Sequence, residues 1–194
     1  MGTGGHALKR AQLVRTDIES VLVLGAGPIG LSVLAMVRLR LGPRVPVLIS
    51  DVVPYRLELA ERLGGMPVNV QARPLEEQLR THHASGVGLA VDTTGKGSAR
   101  QAGLRALGKR GVFICVGHGE GLNLDVSPDV IAPERAVLGS EYFCYGDFAA
   151  NLALLQKHRA YLKQIITHRF PVSELQAAFV AFFGGNTGKV IAVQ

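Results

Sequence analysis

The chain has 194 residues and a formal net charge of +6. Its hydrophobic fraction of 47% is sufficient for a sizeable core and excludes wholesale disorder. Two cysteines exclude a disulfide-rich scaffold, and scattered basic residues with only 6% aromatic residues argue against nucleic-acid binding. The first residues, MGTGGHALKRAQLVRTD, contain no signal-peptide core, and no apolar stretch is long enough to span a membrane. We therefore expect a cytoplasmic protein that binds neither nucleic acid nor a membrane.

Strands and helices alternate along the chain from residue 21. Apolar runs typical of strands buried on both faces occur at 21–24, 45–50, 66–70, 87–95, 111–119 and 136–143. Helical patterns lie between or after them, at 29–41, 54–64, 74–82, 97–108 and 147–158. The helix at 29–41 is apolar on nearly all sides, so we expect it to be largely buried. This alternation predicts an α/β fold with a doubly wound parallel sheet.

The last 25 residues have a different pattern. Ser173 and Gln176 have the spacing of a capping box, and an apolar stripe follows at Leu175, Ala178, Phe179 and Phe182. Two glycines then end this helix. The final residues, KVIAVQ, predict a strand, and a strand this apolar needs a partner edge.

A glycine-rich turn follows the first predicted strand. Gly25, Gly27 and Gly30 form the pattern G-x-G-x-x-G where a strand ends and a helix opens. In dinucleotide-binding folds the first glycine permits a tight turn, the second lets a pyrophosphate approach the backbone, and the third lets helix and strand pack closely. The helix N-terminus favours the negative charge. The pattern alone is weak evidence, because the chain has 24 glycines and glycine-rich turns are common.

An acidic residue ends the second predicted strand. Asp51 lies where a carboxylate can accept hydrogen bonds from an adenosine ribose. The same carboxylate repels a 2′-phosphate, so the sequence favours NAD over NADP. Arg56 complicates this preference, since a guanidinium can recruit that phosphate, stack on the adenine or lie solvated on its helix. The simpler interpretation of Asp51 is an ordinary loop or helix-capping acid.

These features resemble the medium-chain dehydrogenase/reductase family, and the zinc-dependent sorbitol and threonine dehydrogenase-like branch looks closest. The Gly-Pro-Ile-Gly form of the turn is fairly specific to this family, and the likeness covers nearly the whole chain from about His6. Tyr142 departs from the pattern, because the branch often has an arginine there. The resemblance is carried by VLVLGAGPIGL (21–31), SDVVPYRLELAERLGG (50–65), VDTTG (91–95), VGHG (116–119), LGSEYF (138–143), THRFPVSELQAAF (167–179) and GKVIAV (188–193).

The resemblance implies a Rossmann-type domain that binds NAD in an oxidoreductase, which transfers a hydride between an alcohol and the cofactor. The implied contacts fall into three groups along the dinucleotide. They are Gly25, Gly27, Pro28, Ile29 and Gly30 at the pyrophosphate, Asp51 and Arg56 at the adenosine end, and Thr93, Thr94, Val116 and Gly117 towards the nicotinamide.

The resemblance also implies that part of the enzyme is absent. Family members carry the substrate cleft and the catalytic zinc in a preceding domain, ligated by a cysteine and a Gly-His-Glu motif. The chain contains neither that domain's ligating cysteine nor a Gly-His-Glu motif, so we expect no catalytic residue and no metal ligand set in it, with zinc only in the missing domain. The expected segments are a connecting helix at 1–19, a nucleotide-binding domain at 20–171, and at 172–194 an appendage that normally completes the missing domain. Self-association or pairing with a separate catalytic domain is implied by resemblance only.

The residues that could support other chemistry have simpler interpretations. His118 follows a strand near the predicted crevice but has the context of a solvated loop residue, and Cys115 is interpreted as a small core residue. The remaining cysteine and histidines considered show no metal-ligand spacing; they are Cys144, His82, His83, His158 and His168.

Two alternative functions remain open at this point. One is a non-catalytic NAD-binding module or truncated relic. The other is a methyltransferase, which also has a glycine-rich first turn and an acid after its second strand. Gly30 and Pro28 count against the methyltransferase.

Overall fold

Six parallel strands form the central sheet of the computed structural model, which describes residues 1–80, 83 and 85–194, with Arg80 described by its backbone. The strand order is β3-β2-β1-β4-β5-β6. Successive strands are added towards one edge from β1 to β3 and towards the other edge from β4 to β6, so the strand order reverses between β1 and β4. The predicted doubly wound parallel sheet is therefore confirmed. The strands are β1 (Val21–Leu24), β2 (Val47–Asp51), β3 (Met66–Asn69), β4 (Val87–Asp92), β5 (Leu107–Cys115) and β6 (Ala136–Gly139).

Helices cover both faces of this sheet. The helices of the described chain are α1 (Gly2–Gln12), α2 (Pro28–Arg40), α3 (Pro54–Arg62), α4 (Leu75–Arg80), α5 (Gly97–Ala106), α6 (Phe148–Lys157), α7 (Arg159–Leu162) and α8 (Leu175–Phe183). Of these, α8 packs on a small separate sheet near the end of the chain. The predicted end of α4 at His82 lies outside the described residues. No helix in the described part of the chain has the length and apolar character of a membrane span.

The core is divided by the sheet into two apolar clusters. Side chains alternate along β1, so Val21 and Val23 join the cluster on the α2 face, and Leu22 and Leu24 join the cluster on the α5 face. Every residue of β1, β2 and β4 is buried, as the continuous apolar runs predict for strands covered on both sides.

The predicted burial of α2 is confirmed, because every residue from Gly30 to Val37 is buried. On its outer side α2 packs against α1. The two helices approach closely because Gly4 and Gly5 of α1 are both buried and have no side chain. A Cβ on Gly4 would lie 2.7 Å from backbone atoms of both Ser32 and Val33. The glycines therefore determine the distance between α1 and α2.

The final predicted strand finds its partner outside the main sheet. β8 (Lys189–Val193) pairs in parallel with β7 (Ile166–Pro171), and the two form a separate small sheet. The sequence did not predict β7, because ITHRFP has three polar residues in a row between Ile166 and Phe170 and therefore shows no strand period. The two strands lie on opposite sides of the boundary expected at residue 171.

The predicted capping box before α8 is wrong. Residues Val172–Glu174 form a 3-10 turn, and no side-chain hydrogen bond caps the helix that begins at Leu175. Ser173 lies inside that turn and not in the extended conformation of an N-cap. The apolar stripe of α8 is mostly uncovered, since Ala178 is buried whereas Phe179 and Phe182 are exposed.

The close contact between α1 and α2 predicts that a glycine-to-alanine substitution in α1 destabilises the protein. Alanine in place of glycine inside a helix ordinarily stabilises it by about 1 kcal/mol. Gly4→Ala should instead lower the free energy of unfolding, because its Cβ would press on the α2 backbone. Chemical denaturation measures the change. Gly121→Ala is the control, since no atom lies within 4 Å of its Cβ and its effect should stay within about 0.5 kcal/mol. A more stable Gly4→Ala variant would contradict the close packing.

Candidate functional site

A cavity of about 610 Å³ opens at the carboxyl ends of the strands, next to the reversal between β1 and β4. Open α/β sheets bind ligands at this switch point. Six of the eleven predicted cofactor contacts line the cavity: Gly25, Gly27, Asp51, Arg56, Thr93 and Thr94. The other lining residues are Leu24, Ser50, Val52, Val70, Leu75, Lys96, Ser98, Ala99 and Ala102.

Each glycine of the G-x-G-x-x-G turn meets a different physical requirement. Gly25 has a φ of +94°, which side chains of L residues rarely adopt, and a Cβ there would lie 2.8 Å from Thr93 Oγ1. A Cβ on Gly30 would overlap the Gly25 carbonyl oxygen. Gly27 is different, because no atom of the described residues lies within 4 Å of its Cβ position and it lines the cavity. The described protein therefore leaves the space beside Gly27 open.

The first turn of α2 begins directly beside this space. Gly27 precedes the helix in an extended conformation, and no side-chain hydrogen bond caps it. The first N–H groups of a helix have no partner within the helix, and the helix dipole favours an anion near them. Pro28 and Ile29 belong to this turn but do not line the cavity.

Asp51 connects the end of β2 to the glycine turn. Its Oδ2 accepts the N–H of Ala26 at 2.7 Å, while its Oδ1 accepts those of Val52 at 2.7 Å and Val53 at 2.9 Å. The carboxylate is buried and therefore depends on these bonds. The interpretation of Asp51 as an ordinary loop acid thus accounts for these hydrogen bonds. Its contact with a ribose stays a prediction.

Two basic side chains line the cavity beside this single carboxylate. Arg56 Nε donates to the carbonyl of Thr187 at 3.2 Å, which links α3 to the segment before β8. Lys96 lies 3.4 Å from Glu120 Oε1 in an exposed ion pair. The N–H of Gly97 and the ammonium of Lys96 lower the pKa of Glu120. The cavity therefore presents a cationic side to a ligand.

The two threonines after β4 direct their hydroxyl groups towards the protein. Thr93 Oγ1 donates to the Leu24 carbonyl at 2.8 Å, and Thr94 Oγ1 donates to Asp92 Oδ1 at 2.7 Å. The first bond holds the end of β4 against the end of β1. Both hydrogen bonds are made within the protein and hold the cavity wall in place without a ligand.

A buried ion pair behind the cavity was missed by the sequence reasoning. Asp92 is fully buried, and its Oδ2 accepts Arg100 Nε at 2.9 Å. The same guanidinium also donates to the Gly117 carbonyl. Asp92 lies in the strand predicted at 87–95 and Arg100 in the helix predicted at 97–108, and neither residue was assigned a role from the sequence, so only the fold brings them together.

Two loops meet backbone to backbone at the ends of β4 and β5. The main-chain carbonyl of Asp92 accepts the N–H groups of Val116 at 2.9 Å and Gly117 at 3.0 Å. A Cβ on Gly117 would overlap the N–H of Gly95, so the contact requires glycine. Val116 and Gly117 thus lie at the same sheet edge as the cavity but do not line it. Gly30 does not line it either.

None of the described residues that line this cavity is a histidine or a cysteine. The candidate His82 lies outside the described residues. His118 is 83% exposed, with its Nε2 3.6 Å from Glu141 Oε1, as expected for a solvated loop residue. Cys115 is half-buried, and burial raises the pKa of its thiol, although Arg100 opposes this shift. The core interpretation of Cys115 is therefore supported.

Comparison with known proteins gives a consistent result. Residues 4–190 match the family described as "Glucose dehydrogenase C-terminus". The chain is 33% identical over 192 residues to an L-threonine 3-dehydrogenase of Paraburkholderia phymatum, covering 96% of this chain and 55% of that protein. The chain thus spans about half the length of the curated relatives it matches.

Solved structures share the whole described architecture. An alcohol dehydrogenase from Thermus sp. ATN1 superposes with a TM-score of 0.87 at 25% identity, covering 100% of this chain and 55% of that one. A short chain alcohol dehydrogenase from E. coli CFT073, complexed with NADH, has a TM-score of 0.83 at 19% identity and 58% coverage of its own chain. The second shows likeness of fold alone.

The buried ion pair gives a second prediction. Arg100→Leu would leave the Asp92 carboxylate buried without a cation, so we expect the free energy of unfolding to fall by about 3–5 kcal/mol. Removing both charges, with Asp92→Asn and Arg100→Leu together, should recover part of this loss. Guanidinium denaturation measures both.

The matched control is Arg105→Leu on the same helix. Arg105 forms an exposed pair with Glu76 at 3.6 Å, and its loss should cost about 1 kcal/mol or less. Equal losses for Arg100→Leu and Arg105→Leu would show that the buried pair has no special structural role.

Proposed function

The chain belongs to the glucose dehydrogenase C-terminus family, and we propose that it is the cofactor-binding portion of an NAD-dependent oxidoreductase of the zinc-type alcohol dehydrogenases. Its relatives include L-threonine 3-dehydrogenases, and the resemblance inferred from the glycine turn and Asp51 is confirmed by the family match. The bound nicotinamide would accept or donate the hydride. The chain's own task is to hold the dinucleotide in place.

The diphosphate would bind at the start of α2. Gly27 borders the cavity, and no atom of the described part of the chain lies within 4 Å of its Cβ position, which leaves the approach to the backbone open. The uncapped first turn of α2 offers N–H donors to the phosphate oxygens. Pro28, Ile29 and Gly30 would contribute through this backbone. The open position at Gly27 is the observation that carries the proposal.

The adenosine end would bind between Asp51 and Arg56. Asp51 Oδ2 already accepts one N–H, and a carboxylate oxygen can accept a second hydrogen bond from a ribose hydroxyl. This buried carboxylate would repel a 2′-phosphate, which supports NAD. The guanidinium of Arg56 can attract the 2′-phosphate of NADP. Because its Nε is already bonded to the Thr187 carbonyl, this support for NADP is weaker.

The nicotinamide would extend towards the ends of β4 and β5. Thr93 and Thr94 form the wall there, and Val116 and Gly117 would border the ring. The described lining holds no cysteine or histidine, so it does not fit a catalytic zinc. We propose that the zinc ligands and the substrate cleft belong to protein outside these 194 residues, either from a longer polypeptide or a separate catalytic domain.

Gly27→Ala tests the proposal. The substitution should lower the free energy of unfolding by only about 1 kcal/mol, since the new methyl group meets no protein atom. It should raise the Kd for NADH at least tenfold, about 1.4 kcal/mol, because the methyl group would occupy the phosphate position. Fluorescence titration with NADH measures the affinity.

Gly139→Ala on β6 is the matched control, since its Cβ position is equally open and lies outside the cavity lining. It should leave the Kd unchanged. Titrations with NADP and S-adenosylmethionine complete the test. Tighter binding of S-adenosylmethionine than of NADH, or no binding of any dinucleotide by folded protein, would overturn the proposal.

A separate assay concerns turnover. We expect this chain alone to show no zinc-dependent alcohol oxidation, because the cavity lining supplies no metal ligand set. Measurement of NADH production with a panel of alcohols, with and without added zinc, checks this. Turnover that is lost when the metal is removed and returns when zinc is added would show that this chain holds the catalytic site.

A further inference from the structure

The segment between β6 and α6 lies along one face of α1. Gly2, His6 and Lys9 follow one another at helical spacing and point to the same side of α1. A Cβ on Gly2 would collide with the ring of Phe143, and Lys9 Nζ lies 3.0 Å from Asp147 Oδ1. The opposite face of α1 packs on α2. Helix α1 therefore contacts both ends of the segment 143–147.

Three metal-binding side chains meet between these two contacts. His6, Cys144 and Asp147 each have a potential ligand atom, and these atoms all lie within 4.8 Å of one another. Cys144 is a free thiol and is exposed. His6 Nδ1 is buried and has no hydrogen-bond partner among the described residues. A buried ring nitrogen without a partner is costly, which singles out this imidazole as a group with an unmet interaction.

We propose that His6, Cys144 and Asp147 form a binding site for a divalent transition metal of the zinc class. Sulfur, imidazole nitrogen and carboxylate oxygen are the three ligand types that Zn²⁺ takes in proteins. Zinc bonds of about 2.0–2.3 Å place tetrahedral ligand atoms roughly 3.5 Å apart, so the cluster needs only a small contraction. Solvent reaches the cluster at Cys144, which is exposed.

The site competes with one existing interaction. Lys9 donates to Asp147 Oδ1, so a metal ion would take the other carboxylate oxygen or displace the ammonium. Binding also requires the Cys144 thiol to lose its proton, which is released to solvent as the sulfur–metal bond forms. Affinity should therefore rise with pH and rise further when Lys9 is removed.

The site is separate from the cofactor cavity, since none of the three residues lines it. A metal here would connect α1 to the turn before α6, two segments that are distant in sequence. The sequence predicted no metal ligands in this chain, because 138 positions separate His6 from Cys144 and no spacing rule joins them. The proposal thus departs from that prediction and does not depend on NAD binding.

Cobalt substitution tests the site with untagged, EDTA-treated protein. Titration with Co²⁺ at neutral pH should reach one equivalent, with a thiolate-to-cobalt charge-transfer band and the intense visible absorption of a tetrahedral ion. Zn²⁺ should displace Co²⁺ and bleach both. The melting temperature should rise with added Zn²⁺.

Matched variants separate the three ligands from the background. Cys144→Ser should abolish the charge-transfer band, whereas Cys115→Ser should keep it, since Cys115 lies in β5. His6→Gln should weaken Co²⁺ binding at least tenfold, with exposed His118→Gln as its control. Lys9→Met should strengthen binding by releasing Asp147. The circular dichroism of each variant should match that of the parent protein.

The proposal is overturned by any of three results. These are the absence of one-equivalent Co²⁺ binding by the folded parent protein, a charge-transfer band that persists in Cys144→Ser, and equal weakening by His6→Gln and His118→Gln. A parent protein that binds Co²⁺ in this way supports the site whatever the outcome of the NADH titrations.

Discussion

The absence of a side chain at Gly30 determines where α2 lies relative to the sheet. The backbone at Gly30 lies so close to the Gly25 carbonyl oxygen that a Cβ on residue 30 would overlap this oxygen. The helix therefore starts directly after β1, and its uncapped N-terminus faces the cavity at the reversal of strand order. Asp51 and Thr93 hold the same turn from the two neighbouring strands. The cavity exists because three strand ends are connected at this one point.

A second backbone contact supports the far side of the cavity. The loops after β4 and β5 touch at Gly95 and Gly117, and the buried Asp92–Arg100 pair closes the space behind them. Burying two charges is unfavourable unless they are paired and hydrogen-bonded. Asp92 satisfies this condition by also accepting the N–H and hydroxyl of Thr94. The N–H groups of Val116 and Gly117 and the hydroxyl of Thr94 all bond to Asp92, so this residue holds the segments expected near the nicotinamide.

The segments after β6 are much less buried than the central sheet. No residue of α6 is buried, and α8 buries only Ala178, whereas every residue of β1, β2 and β4 is buried. Periodicity predicted α6 and α8 as helices, but it could not predict what their apolar faces contact. For the same reason the partner of β8 was not evident, since β7 is a short strand with no buried residue and no continuous apolar run.

Sequence by itself determined the alternation of strands and helices, the glycine turn, and the acid that ends β2. These are local properties, because continuous apolar runs, helical period and glycine spacing each act over a few residues. Tertiary structure alone decided which distant groups meet. Arg100 reaches Asp92 only when α5 packs on β4, and His6 meets Cys144 only when α1 lies beside the end of the sheet. Such contacts depend on chain topology, and no spacing within the sequence encodes them.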